Sequence, residues 1–194
     1  MIRSCCLALM LLAACGQPHG DSESTGTETT APDPAAEAAA AEKLKQADQK
    51  SAFEAAGSDE AKIDELADAG NGFALHHRGK ARLASDEYYV QRAGFEDMEA
   101  AAEAGNADAQ LWVGEKMAYG LQGYQLKPNS GLMMMEKAAK QDHIDAILAV
   151  GLMYEQDTFM RDMAKAKEWY ARGVELDSDK AKEALARLGT PDDF

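Results

Sequence analysis

The chain repeats itself, and the period decides what it can fold into. Ala74, Ala109, Ala146 and Ala181 stand 35, 37 and 35 residues apart, and Gly79, Gly114 and Gly151 each follow the first three by five residues. A comparable helix end precedes each marker: Leu66-Ala67-Asp68-Ala69-Gly70, Ala101-Ala102-Glu103-Ala104-Gly105, Ala138-Ala139-Lys140-Gln141-Asp142, and finally Val174-Glu175-Leu176-Asp177. On a helix, an alanine, the residue four positions on and the glycine after it share one side. Glycine costs a helix about 1 kcal/mol, so its place here predicts a second helix in close approach. Gly70 and Gly105 suit the left-handed turn that ends a helix, and Asn71 and Asn106 suit the cap of the next one. Each period therefore reads as two short helices joined by a turn. A single unit would leave its apolar face wet, so the units must stack.

Composition agrees. Valine and isoleucine together number eight in 194 residues, too few β-branched residues for a sheet protein. The expected fold is all-α: a short α-solenoid of stacked antiparallel helix pairs. A formal net charge of −14 excludes the basic surface that nucleic acid requires.

The first residues read as an address rather than as fold. Arg3 supplies a positive start, Cys6 to Leu12 a short apolar run, and Ala13-Ala14 small residues before Cys15. This is the three-part shape of a secretory signal, too short to span a bilayer. Leu12-Ala13-Ala14-Cys15 resembles the lipobox of bacterial lipoproteins. The resemblance implies a signal peptide over 1–14, lipid attachment at Cys15 and palmitate-type acylation of the new amine. The alternative is ordinary cleavage, with Cys15 an incidental thiol. Cys5 and Cys6 leave with the signal, so Cys15 has no partner for an internal disulfide. Gly16 stands where many Gram-negative lipoproteins kept at the inner membrane have aspartate. By that resemblance the outer membrane is expected, with the body facing the periplasm.

Residues 15–34 then read as the lipidated cysteine plus a flexible tether with a reach of roughly 25 Å. Asp33-Pro34 opens an Ala/Glu/Lys-rich helix over 35–57, with Leu44 and Phe53 almost its only apolar anchors, and Gly57-Ser58-Asp59 breaks it. The repeat array occupies 58–190, and 191–194 form a tail.

Within the array, Ala109-Gln110-Leu111-Trp112-Val113-Gly114, Met117, Gly120 and Gly123-Tyr124 resemble the first half of the Sel-one-like repeat, a relative of the tetratricopeptide repeat. Asp162, Lys165-Ala166 and Trp169-Tyr170 resemble its second half. By this resemblance 109–145 and 146–180 are good units and 74–108 a degenerate one, with half units at 61–73 and 181–189. Unit two departs by carrying Met134-Met135 for Trp-Tyr and Lys127 for the aspartate. Unit one departs with Arg78 and Arg82 at two normally apolar positions, which puts its packing in question.

No enzymatic constellation is present: G-x-S-x-G, H-E-x-x-H, G-x-x-x-x-G-K and S-x-x-K are all missing from the sequence. No catalysis, cofactor or metal is expected. His76 and His77 are adjacent, so on a helix they point about 100° apart and do not chelate one metal easily. His143 falls in an inter-repeat turn, where no special role is expected. Met133-Met134-Met135, with Met117, Met153, Met160 and Met163, would suit Cu(I). However, Met134 and Met135 share the register of Trp169 and Tyr170 and so read first as core. Trp112, Tyr154, Trp169 and Tyr170 read as core as well, whereas Tyr88-Tyr89 divides evenly between packing and contact.

Tetratricopeptide-like geometry implies that the third and seventh positions, counted from each marker, line an inner groove. These are His76 and Lys80, Leu111 and Glu115, Leu148 and Leu152. The expectation is a lipid-anchored adaptor whose groove takes another envelope protein or a peptide. The alternative is a metal- or cell-wall-binding envelope lipoprotein that uses the methionines or the acidic face.

Overall fold

The computed structural model describes residues 34–189; the leader, Cys15, the tether and the tail lie outside the described residues. Within them the chain is all-helical: α1 (Pro34–Ala56), α2 (Glu60–Asp68), α3 (Gly72–Leu83), α4 (Tyr88–Glu103), α5 (Ala107–Tyr119), α6 (Pro128–Ala139), α7 (Ile144–Gln156), α8 (Met163–Glu175) and α9 (Asp179–Leu188). The pairs α3–α4, α5–α6 and α7–α8 are the three units. Each second helix packs on the first helix of the next unit, and α5 also touches α7 directly. This gives two layers, with α3, α5, α7 and α9 in one and α2, α4, α6 and α8 in the other. No helix of the described residues is long and apolar enough to cross a membrane.

The marker alanines Ala74, Ala109, Ala146 and Ala181 are completely buried. The glycines five residues on from the first three allow the close approach that their position predicts. A Cβ on Gly151 would lie 2.5 Å from the Tyr170 ring, and one on Gly114 would lie 2.6 Å from Met135 Cγ. The second helices carry a matching small column, Gly94, Gly131 and Ala166, all buried. A Cβ on Gly131 would meet the backbone of α5, 2.5 Å from both Ala118 N and Gly114 O. Met98, Met135 and Tyr170 fill one and the same register site in successive units, each almost fully buried. Tyr170 donates its hydroxyl to Glu155 at 2.9 Å, and Tyr154 donates to Glu136 at 2.8 Å.

The turns between units follow one pattern. Gly70 and Gly105 adopt positive φ, and so do Asp142 and Asp177 at the same register. The next residue closes the ending helix and caps the following one. Asn71 N donates to Leu66 O, while Asn71 Oδ1 accepts from Ala74 N at 3.2 Å; Asn106 repeats both bonds with Ala101 O and Ala109 N. Ser178 holds the same place before α9, and so does His143 before α7. His143 therefore corrects the expectation of no special role. Its Nδ1 accepts from Ala146 N at 3.2 Å, and its Nε2 lies 3.0 Å from Asp108 Oδ1 at the start of α5.

Unit one holds together by a compensated exchange. Arg78 and Arg82 occupy the register of Val113 and Met117, and of Val150 and Tyr154. The facing register, Met134 in unit two and Trp169 in unit three, is Asp97. Asp97 accepts from Arg78 Nε at 3.1 Å, Arg78 Nη2 at 3.0 Å and Arg82 Nη1 at 2.7 Å, and Arg78 Nη1 also reaches Asp68 at 2.6 Å. An ionic cluster thus replaces the apolar contact of the other two units. The hydrogen bond with Asp97 holds the Arg78 guanidinium well above its usual range.

The long α1 crosses the edge where the inter-unit turns lie. Leu44 is no anchor, since it is 68% exposed. Its neighbours grip the turns through polar contacts instead. Gln46 Nε2 donates to Ala104 O at 2.7 Å, Gln49 Oε1 accepts from Gly72 N at 3.1 Å, and Asn71 Nδ2 donates to Gln49 O at 2.8 Å. Phe53 adds the apolar contact, 6.5 Å from the Phe73 ring and 5.7 Å from that of His77.

Candidate binding groove

The first helices α5 and α7 touch side by side and run in the same direction. At their starts, Asp108 on α5 meets His143 at the head of α7. At their ends, Tyr119 on α5 senses Asp157, which follows α7. On the α3 side, the Asp108 charge reaches His76.

The six residues expected to line the groove all lie on the first helices α3, α5 and α7, none of them fully buried. Along α5, Leu111, Glu115 and Tyr119 follow at intervals of four, so they form one stripe. Beside it on α7 stand Leu148 and Leu152, and on α3 His76 and Lys80. Leu111 and Leu148 are half-buried against the core, while Leu152 and Tyr119 are exposed. This is an apolar strip two helices wide, with carboxylates set into it. Tyr119 joins the strip although sequence reasoning passed over it. The signal was available in its four-residue spacing from Glu115.

Burial is the main reason why the His76 imidazole resists protonation. Lys80 and His77 push the same way and Asp108 opposes them. The Tyr119 phenol is likewise pushed up by burial first, then by Glu115 and Asp157. Among the described residues Glu115 makes no ion pair or hydrogen bond, and the Asp157 carboxylate accepts from the backbone of Phe159 and Met160.

Elsewhere the candidates divide. The three consecutive methionines diverge: Met133 is exposed, Met134 packs on the unit-one core, and Met135 is buried in the next core cluster. They present no joint sulfur site. No group of three His, Cys, Asp or Glu among the described residues is arranged to hold a metal. Tyr154 and Tyr170 are core, and Trp112 is half-buried against Phe95 and Tyr124. Tyr88 and Tyr89 are exposed, their rings edge to face at 5.5 Å. A separate cleft of about 580 Å³ opens between α1 and the turns, with Gln110 and Gln141 joined on its wall at 2.8 Å.

No family model matches the sequence, and no curated protein matches it. Solved structures do match. A Sel1 repeat protein from Oxalobacter formigenes superposes with a TM-score of 0.60 at 26% identity, covering 66% of this chain and 98% of that one. The chain has the Sel1-repeat fold. A second similar structure, c5321, is described as a protective antigen present in uropathogenic Escherichia coli strains displaying an SLR fold. Its TM-score is 0.56 at 20% identity, over 68% of this chain and 29% of that one. The Sel1-type units here are α3–α4, α5–α6 and α7–α8, so the degenerate first unit folds like the other two. The array is a helical-repeat scaffold.

Proposed function

We propose that this protein is a lipid-anchored adaptor of the bacterial cell envelope, which binds another protein or a peptide on the α3–α5–α7 face. The observation that carries this reading is the strip of Leu111, Leu148, Leu152 and Tyr119, partly exposed apolar side chains on the neighbouring helices α5 and α7. A core residue would be covered and a solvated face would be polar; this strip is neither. Such a surface needs no catalytic group to work. The anchor is the Cys15 lipid that the lipobox resemblance implies, and Gly16 favours the outer membrane with the array in the periplasm. The tether would let the array search a radius of about 25 Å around its anchor.

Two measurements test it. A photo-crosslinking residue placed at Leu111 or Leu148 in living cells should trap one defined protein, and the same residue at Lys137 on α6 should not. Equal trapping from both sites would refute the groove. For the anchor, Cys15→Ser should abolish metabolic labelling with palmitate and release the protein from the membrane fraction. Unchanged labelling would refute Cys15 as the attachment point.

A further inference from the structure

We infer that the segment taken by this groove carries apolar side chains flanked by lysine or arginine, a partner chemistry that rests on the groove reading above. The strip of Leu111, Leu148, Leu152 and Tyr119 supplies the apolar contact. The charges set into it have one sign where α5 and α7 meet. Glu115 lies between Leu111 and Tyr119 on the same stripe, and Asp157 is the C-cap of α7, the helix that touches α5. Among the described residues neither is paired with a cation. Three other charges of this layer are engaged elsewhere: Asp108 with His143, Arg187 of α9 with Glu155 at 2.7 Å, and Lys116 of α5 over the Trp112 ring at 5.2 Å, on the side turned to α4. Lys80 has the opposite sign but stands on α3, at the far side of the strip.

Carboxylates beside apolar surface are partly desolvated when a segment covers them, which is costly unless the segment brings cations. An acidic segment would meet repulsion as well as desolvation, so the two carboxylates select as well as attract. The net charge of −14 adds long-range steering of the same sign.

The test uses the full-length protein in mild detergent, with binding to empty micelles subtracted. Two fluorescent twelve-residue peptides are titrated, each with three leucines, one with flanking lysines and its twin with glutamates. The lysine peptide should bind and the glutamate twin should not. Glu115→Lys with Asp157→Asn should weaken the lysine peptide at least tenfold; asparagine keeps the acceptor of the Asp157 turn. Glu60→Lys with Asp179→Asn changes net charge equally, away from the groove, and should leave affinity within twofold. Equal weakening by that control would overturn the inference, because net charge alone would then explain the attraction. Leu152→Glu, at an exposed site that does not endanger folding, separates the two levels. If it abolishes binding of a glutamate peptide that binds better than the lysine one, the groove stands and the partner chemistry falls. If the lysine peptide binds regardless of Leu152→Glu, both fall. Binding of neither peptide also overturns the inference.

Discussion

Removing Asp97 should unfold more of this protein than its size suggests, while removing the whole cluster around it should not. The Asp97 side chain is only 7% exposed and the Arg78 side chain 14%, so the pair is largely withdrawn from water. Taking one partner from a buried pair costs roughly 3–5 kcal/mol, because the other charge stays buried. Two features place Asp97→Ala near the lower end. Arg82 is 36% exposed and can turn to solvent, and Arg78 keeps Asp68, itself 76% exposed. A loss of about 3 kcal/mol follows, or a fall in melting temperature of about 6–12 °C for a domain of this size. The triple exchange Arg78→Val, Arg82→Met and Asp97→Met installs the set that unit two uses at the same register. Replacing a buried ionic cluster by apolar residues of suitable volume is neutral or stabilising by about 1–4 kcal/mol. Urea titration followed by helical circular dichroism at 222 nm measures both, with coincidence of a second probe checking for a single transition. A cost below about 1 kcal/mol for Asp97→Ala would refute the ionic-core reasoning. So would a triple exchange that loses as much as the single one, because the three positions would then not be one interchangeable site.

Other expectations follow from the same contacts. Gly131→Ala should cost about 2–3 kcal/mol, since its Cβ would press on backbone at 2.5 Å, whereas Gly79→Ala should cost at least about 1 kcal/mol less, because its neighbours, Met98 at 3.1 Å and Asp97 Cβ at 3.2 Å, stand farther off and the helix gains propensity; equal melting temperatures for the two variants would contradict the packing described. Asp177→Gly should stabilise by about 0.5–1 kcal/mol, as it relieves a left-handed residue and gives up only exposed contacts with Lys182, and a fall in the urea midpoint would refute this. Asn106→Ala should cost about 1–2 kcal/mol by removing the α5 cap, with faster amide exchange at Ala109 as its local mark. For His76, burial holds the folded imidazole below its ordinary value of about 6.5, so below that pH the unfolded chain binds more protons and stability falls as pH falls. The stability difference between His76→Gln and the parent should therefore move in favour of the variant from pH 7.5 to 5.5; parallel stability curves would count against it.

The repeat spacing alone determined the helix-pair array, the direction of the glycines and the Gly70 and Gly105 turns, because those features are local or recur at fixed register. The reading of Met135 as core rested on the same logic, since a side chain sharing the register of Tyr170 must fill the space under a glycine. Tertiary structure decided what depends on partners remote in sequence. Arg78 and Arg82 looked like defects until Asp97, 19 and 15 residues away respectively, was seen to face them. His143 looked idle because its role joins its own helix to Asp108, 35 residues earlier. Leu44 looked like an anchor because it is apolar, but α1 is held by glutamines whose partners are turn carbonyls and amides. Periodicity reports which face a residue shares with its helix; only packing reports what that face meets.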